Sequence, residues 1–128
     1  IAEFYPIQGA RKLLEEGSVV IAAGGTGHPF FTTDTAAALR AVELGAQVLL
    51  KATKVNGVYS SDPEKDPKAT KYDTITYMDV ITKGLRVMDL TAVSLCMDNG
   101  MPLVVFNLFD KGALAGAVAG NPVGTIIS

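Results

Sequence analysis

The residues best suited to chemistry are one carboxylate, one cation and the loop before them: Asp34, Lys51 and the stretch Gly24-Gly25-Thr26-Gly27-His28-Pro29-Phe30-Phe31-Thr32-Thr33. Three glycines within four positions let the backbone turn sharply and let a ligand come close to its N–H groups. Thr32, Thr33 and Asp34 follow as candidate N-cap side chains, where unpaired N–H groups and the helix dipole favour an anion. Such a loop suits a phosphate or nucleotide. Glycine-rich turns also occur without any ligand, however. This one fits neither GxxxxGK[ST], for want of the lysine, nor GxGxxG, because Phe30 fills the third glycine's place. Asp34 reads either as a working carboxylate or as a plain helix cap. Lys51 reads either as the cation of the site, needing a counter-charge beside a buried strand, or as a solvated strand-end lysine.

Those residues need elements to position them. The apolar run Val19–Ala23 is short, β-branched and not alternating, as in a strand buried on both faces of a parallel sheet. The alanine-rich pattern from Thr35 to Leu44 predicts a helix stopped by Gly45, and Val48-Leu49-Leu50 opens a second strand. A β-α-β unit of this kind has parallel strands and a right-handed crossover. The loop through Asp34 and the segment Lys51–Lys54 then emerge at one carboxyl edge, where open α/β sheets bind ligands.

Around this unit, Pro6–Glu16 reads as a helix with Gly17 just past its end. Asn56-Gly57, between Val55 and Val58, predicts a type I′ hairpin, and Ser60–Thr70 is rich in turn residues and reads as mobile. Thr76 and Asp79 form a capping-box pattern for a short helix ending near Gly84. Asp89 caps a further helix with Leu90, Val93 and Met97 inward, closed by Asn99-Gly100. Leu103–Phe106 is a strand, Gly112–Ala119 a small-residue helix and Thr125–Ile127 a last strand. No repeat, linker or low-complexity tract interrupts this order, so residues 1–128 read as one α/β unit.

A net charge of −2 offers no reason to expect a nucleic-acid polymer as partner. The charged fraction, 19%, is lower than the usual ~25%, which fits a chain with surface covered by a partner or by a missing part of itself. Cys96 is alone and lies in an apolar helical pattern, so a packed core thiol in a reducing cytoplasm is expected rather than a nucleophile. No apolar run approaches the ~20 residues that span a bilayer, and the first residues lack a leader's apolar stretch. A lone His28, with no second ligand at metal spacing, does not make a metal site.

The loop Gly25–Arg40, the segments Lys51-Ala52-Thr53-Lys54-Val55-Asn56-Gly57-Val58-Tyr59 and Asp62-Pro63, and then Val87–Leu90, Cys96–Asp98 and Val105–Asn107 closely resemble the bacterial uridylate (UMP) kinases of the amino-acid kinase superfamily. The likeness runs the length of the chain but corresponds to only the C-terminal half of such an enzyme, and His28 stands where that family usually has Asn. The resemblance implies a three-layer αβα sandwich with a mainly parallel sheet. It implies transfer of the ATP γ-phosphoryl to UMP, giving UDP for pyrimidine nucleotide biosynthesis, with Asp34 orienting cations near the moving group and Lys51 among them. It assigns UMP to Thr26, Gly27, His28, Pro29, Phe30, Phe31, Thr32 and Thr33, and ATP to Thr53, Tyr59 and Asp62. Any Mg²⁺ would arrive with the ATP phosphates. The family implies a homo-oligomer, a hexamer. Two alternatives stay open: another phosphotransferase of the superfamily acting on a carboxylate or carbamate, and a non-catalytic nucleotide-binding or oligomerisation fragment.

Overall fold

The computed structural model describes residues 4–128; the first residues, read above for a leader, lie partly outside it. Helix α1 (Ile7–Glu15) begins behind Pro6, and Gly17 takes up the left-handed conformation just beyond its end (φ 84°). Helix α2 (Thr33–Leu44) is capped by Thr32, whose hydroxyl accepts from the Thr35 N–H, and ends on left-handed Gly45. Arg11 of α1 donates to the Glu43 carbonyl, and the Arg40 guanidinium lies 4.2 Å from the centre of the Tyr5 ring. These contacts hold the first two helices together.

The chain then reverses into β1 (Leu49–Thr53). After a long loop come β2 (Thr74–Ile75), α3 (Tyr77–Thr82), α4 (Leu90–Asp98), β3 (Leu103–Asn107), α5 (Ala113–Val118) and β4 (Thr125–Ile127). The sheet has the order β1-β3-β4-β2. β1 runs parallel to β3 and β2 parallel to β4, while β3 and β4 are antiparallel. Alternating residues divide between two cores. Leu49, Leu103, Val105 and Ile127 pack with Ala38 and Ala41 of α2, Val80 of α3, and Ala92, Val93 and Cys96 of α4. Leu50, Val104 and Phe106 turn the other way, against Ala113 and Ala117 of α5. Helices therefore cover both faces, giving the three layers that the family resemblance implies.

The strand expected at Val19–Ala23 does not form. Val19 and Ile21 are 91% and 88% exposed, and the run makes no ladder with any described strand. Strand propensity reflects packing against neighbours on a sheet, and here no neighbouring strand is in place to supply it. The right-handed β-α-β unit expected around α2 is therefore not built from these residues.

The Asn56-Gly57 hairpin is also overturned. Gly57 has φ 150°, outside type I′ geometry, and the antiparallel pairing lies farther on, with the Tyr72 N–H donating to the Val58 carbonyl and the Ser60 N–H to the Thr70 carbonyl. The glycine serves a close approach instead, since a Cβ there would collide with the Thr125 hydroxyl. On α4 the buried face is Ala92, Val93 and Cys96, whereas Leu90 is 65% exposed at the first helical position. At Thr76 the N-cap forms as expected, the Thr76 hydroxyl accepting from the Asp79 N–H at 3.0 Å, but the Asp79 carboxylate accepts from the Thr76 hydroxyl, not in the reciprocal backbone bond of a full capping box.

Candidate functional site

The geometry of the site follows from the reversal between α2 and β1. Because the helix runs back across the sheet, its N-terminus comes to the carboxyl end of β1. Lys51 shares a face of β1 with Leu49 and Thr53, the face that α2 covers, so its side chain is directed toward that N-terminus. There its ammonium donates to both oxygens of Asp34, at 2.9 and 2.8 Å. The side chains are 33% and 25% exposed for Asp34 and Lys51, so the pair is half-screened and open to a ligand. Asp34 is not the cap of α2. Thr32 takes that role, which leaves the Asp34 carboxylate free for the lysine. The counter-charge that Lys51 requires is thereby identified.

Beside the pair, α2 and α4 present their N-termini together. Asp89 caps α4 by accepting from the Ala92 N–H at 2.8 Å. The same carboxylate accepts from the Thr35 hydroxyl at 3.1 Å and from the Thr32 hydroxyl. One side chain thus fastens two helix starts. Burial pushes the Asp89 carboxyl upward, but the bonds from Thr32, the Ala92 N–H and Thr35, with the nearby Lys51 charge, outweigh it and hold Asp89 below the ordinary aspartate value. From sequence, Asp89 reads only as a cap. No local pattern marks an acceptor whose further partners lie more than fifty residues away.

The glycine loop stands open before α2. Gly24, Gly25 and Gly27 all have positive φ (86°, 66° and 74°), conformations that L side chains rarely adopt. Thr26 closes a local turn, its hydroxyl accepting from the His28 N–H at 3.1 Å. His28 and Pro29 are exposed. Phe30 is left-handed (φ 69°) and fully exposed, and Phe31 is 53% exposed. An unburied aromatic on a backbone of that kind presents its ring to solvent or to a ligand rather than to a core. Thr33 is exposed, and its hydroxyl bonds to no other described residue, whereas the Thr32 hydroxyl is spent on Thr35 and Asp89.

Thr53, Tyr59 and Asp62 lie along one cleft of about 470 Å³ that Val105 also lines. Tyr59 is half-buried; Asp62 is exposed and pairs with Lys65 at 3.5 Å. The Thr53 hydroxyl is engaged within the protein, with the Val55 carbonyl at 2.8 Å and the Phe106 carbonyl of the neighbouring strand at 3.1 Å. Turn-rich Ser60–Thr70 is braced from within: Ser61 donates to Asp66 at 2.6 Å, and the Glu64 N–H donates to Asp62 at 3.0 Å. The opposite wall, Lys83-Gly84-Leu85-Arg86-Val87, was not anticipated. It is brought to the cleft by the α3–α4 connection, and its sequence carries no motif. Lys51 lies two residues before Thr53 on the same face of β1, so the cleft and the Asp34–Lys51 pair are neighbours along one strand. Among the described residues no group of three or more His, Cys, Asp and Glu side chains is arranged to hold a metal ion.

The family model described as "Amino acid kinase family" matches residues 5–107. The chain is 54% identical over 127 residues to a uridylate kinase of Magnetococcus marinus, covering 99% of this chain and 53% of that protein. It is 61% identical over 114 residues to a uridylate kinase of Legionella pneumophila, covering 89% of this chain and 46% of that one. Among solved structures, the UMP kinase of Bacillus anthracis superposes with a TM-score of 0.97 at 38% identity, over 99% of this chain and 52% of its own. A uridylate kinase of Archaeoglobus fulgidus gives 0.76 at 33% identity, over 99% of this chain and 61% of its own. The chain thus spans about half the length of the curated relatives it matches. With its sheet, its cleft and its helix N-termini in that arrangement, it belongs to the amino acid kinase family.

Proposed function

We propose that this chain contributes nucleotide sites to a UMP kinase, which moves the γ-phosphoryl of ATP to UMP and yields UDP for pyrimidine nucleotide synthesis. The observation that carries the reading is the Asp34–Lys51 pair, which stands between a cleft suited to adenosine and an open glycine loop at a helix N-terminus. Adenosine occupies the cleft, with Tyr59 as an aromatic wall and Thr53 and Asp62 as polar contacts. UMP lies along Thr26–Thr33, its phosphate toward the N-terminus of α2 and its base near Phe30 or Phe31, with Thr33 offering a free hydroxyl. His28 donates there in place of an amide. Lys51 neutralises charge on the moving phosphoryl, and Asp34 fixes the ammonium in place. The donor set fits Mg²⁺ carried by the ATP phosphates, since the carboxylates at hand serve Lys51 and a turn rather than a metal cage. Such an ion supplies charge neutralisation. The reading further includes residues 1–128 acting as one α/β unit, a cytoplasmic setting consistent with a reduced, buried Cys96, and a homo-oligomer. Among the described residues no helix is long and apolar enough to cross a membrane.

The test is Lys51→Met in a polypeptide of the relatives' full length. Binding of ATP and UMP should persist while UDP formation falls by about 10²–10³. Turnover near that of the parent would remove Lys51 from the mechanism. Binding without turnover in the parent itself would leave a nucleotide-binding module.

A further inference from the structure

Both legs of the loop that walls one side of the cleft meet one buried hydroxyl. Thr125, on the inner strand β4, is fully buried, and its Oγ1 accepts from the Val58 N–H at 2.9 Å and donates to the Tyr72 carbonyl at 2.5 Å. Val58 and Tyr72 are the two legs of the loop carrying Tyr59 and Asp62, and they also bond to each other at 2.9 Å. Gly57 lies against the hydroxyl, and its missing Cβ is what allows that approach. Lys71, on the second leg, adds a tie of its own by donating to the Gly124 carbonyl at 2.8 Å. Thr125 is paired in register with Val105, which lines the cleft. A hydroxyl has one hydrogen to give and lone pairs to accept, so one side chain satisfies an N–H on one leg and a carbonyl on the other.

We propose that Thr125 is a positioning residue for the nucleotide: its hydroxyl clamps both legs of the Tyr59–Lys71 loop to the sheet and so sets the width of the cleft. The inference rests on ATP occupying that cleft. Thr125 itself touches no ligand. Without its hydroxyl, the Val58 N–H must find water or go unpaired, the Tyr72 carbonyl keeps only the long bond from the Lys71 ammonium at 3.4 Å, and the loop moves away from the sheet.

The experiment compares Thr125→Val, nearly the same shape without the hydroxyl, with Thr125→Ser, which keeps it. Calorimetric titration with ATP of a polypeptide of the relatives' full length is paired with amide hydrogen exchange at Val58 and Tyr72. Thr125→Val should weaken ATP about tenfold and speed exchange at both amides, while Thr125→Ser stays within about twofold of the parent. A Thr125→Val protein that binds ATP as the parent does overturns the clamp. If that variant does not fold, Thr125→Cys, a weaker hydrogen-bonder of serine's size, decides. Weaker ATP binding than in Thr125→Ser supports the clamp, and equal binding overturns it. A parent chain that fails to bind ATP overturns the nucleotide reading itself, a result separable from normal binding unchanged by Thr125→Val.

Discussion

Lys51 donates to both carboxylate oxygens of Asp34 across 17 positions of sequence, at 2.9 and 2.8 Å. The pair joins the middle of a parallel strand to the first turn of the helix before it, so any anion drawn to that helix start meets a lysine already held in place. Its half-open setting matters as much as its distance. A fully buried pair would be closed to a ligand, and a fully exposed one would hold no fixed geometry.

Asp34→Asn separates catalysis from folding. Thr32, not Asp34, caps α2, so the change leaves the cap intact and costs at most the ~0.3–1 kcal/mol of a first-turn charge with the dipole, together with the ion pair. Turnover should fall by about 10²–10³ in a polypeptide of the relatives' length, read as UDP formation beside the melting temperature of the same sample. Near-normal turnover would reduce Asp34 to a surface partner of Lys51.

Thr33→Val tests the acceptor loop. The Thr33 hydroxyl serves no described neighbour, so stability should hardly change, whereas UMP affinity should drop by roughly 1.5–3 kcal/mol if the hydroxyl meets the phosphate. ATP affinity should stay as it was. Equal losses for the two nucleotides would make the loop a shared scaffold.

Asp89 links acid stability to the fastening of two helices. Its pKa is lower in the folded protein than in the unfolded chain, so the stability it contributes is present above the ordinary aspartate value and disappears as pH falls through the lowered one. Asp89→Asn keeps an acceptable cap but loses the charged acceptor for Thr32 and Thr35. The variant should lose roughly 1–2 kcal/mol at neutral pH and show a flatter decline below pH ~4 than the parent. Parallel acid-unfolding curves, followed by circular dichroism, would contradict this account.

Cys96 should behave as packing. Burial drives its thiol upward against the smaller opposing effect of the Tyr77 hydroxyl, and the side chain is fully buried. A thiol reagent at pH 8 should therefore label the native chain only at its rate of opening, and rapidly in denaturant. Prompt stoichiometric labelling of native protein would show that α4 does not sit as described.

What the sequence by itself determined is what neighbours within a few positions decide. Thr32, Thr76 and Asp89 cap their helices because an N-cap bond reaches only two or three residues ahead, and left-handed Gly45 ends α2 for an equally local reason. The approach of Lys51 to the helix after the glycine loop was expected from a β-α-β unit whose first strand does not form; the reversal from α2 into β1 brings those ends together without it. Only the tertiary structure decided the rest. Val19–Ala23 has every residue a strand needs and remains outside the sheet, because a strand exists only with a ladder partner. Asn56-Gly57 carries a hairpin signature, but the packing of Thr125 against Gly57 overrides it. The second and third acceptor roles of Asp89, the Lys83–Val87 wall and the Thr125 clamp all join segments far apart along the chain. Such contacts depend on where distant segments cross, and no pattern of nearby residues encodes that.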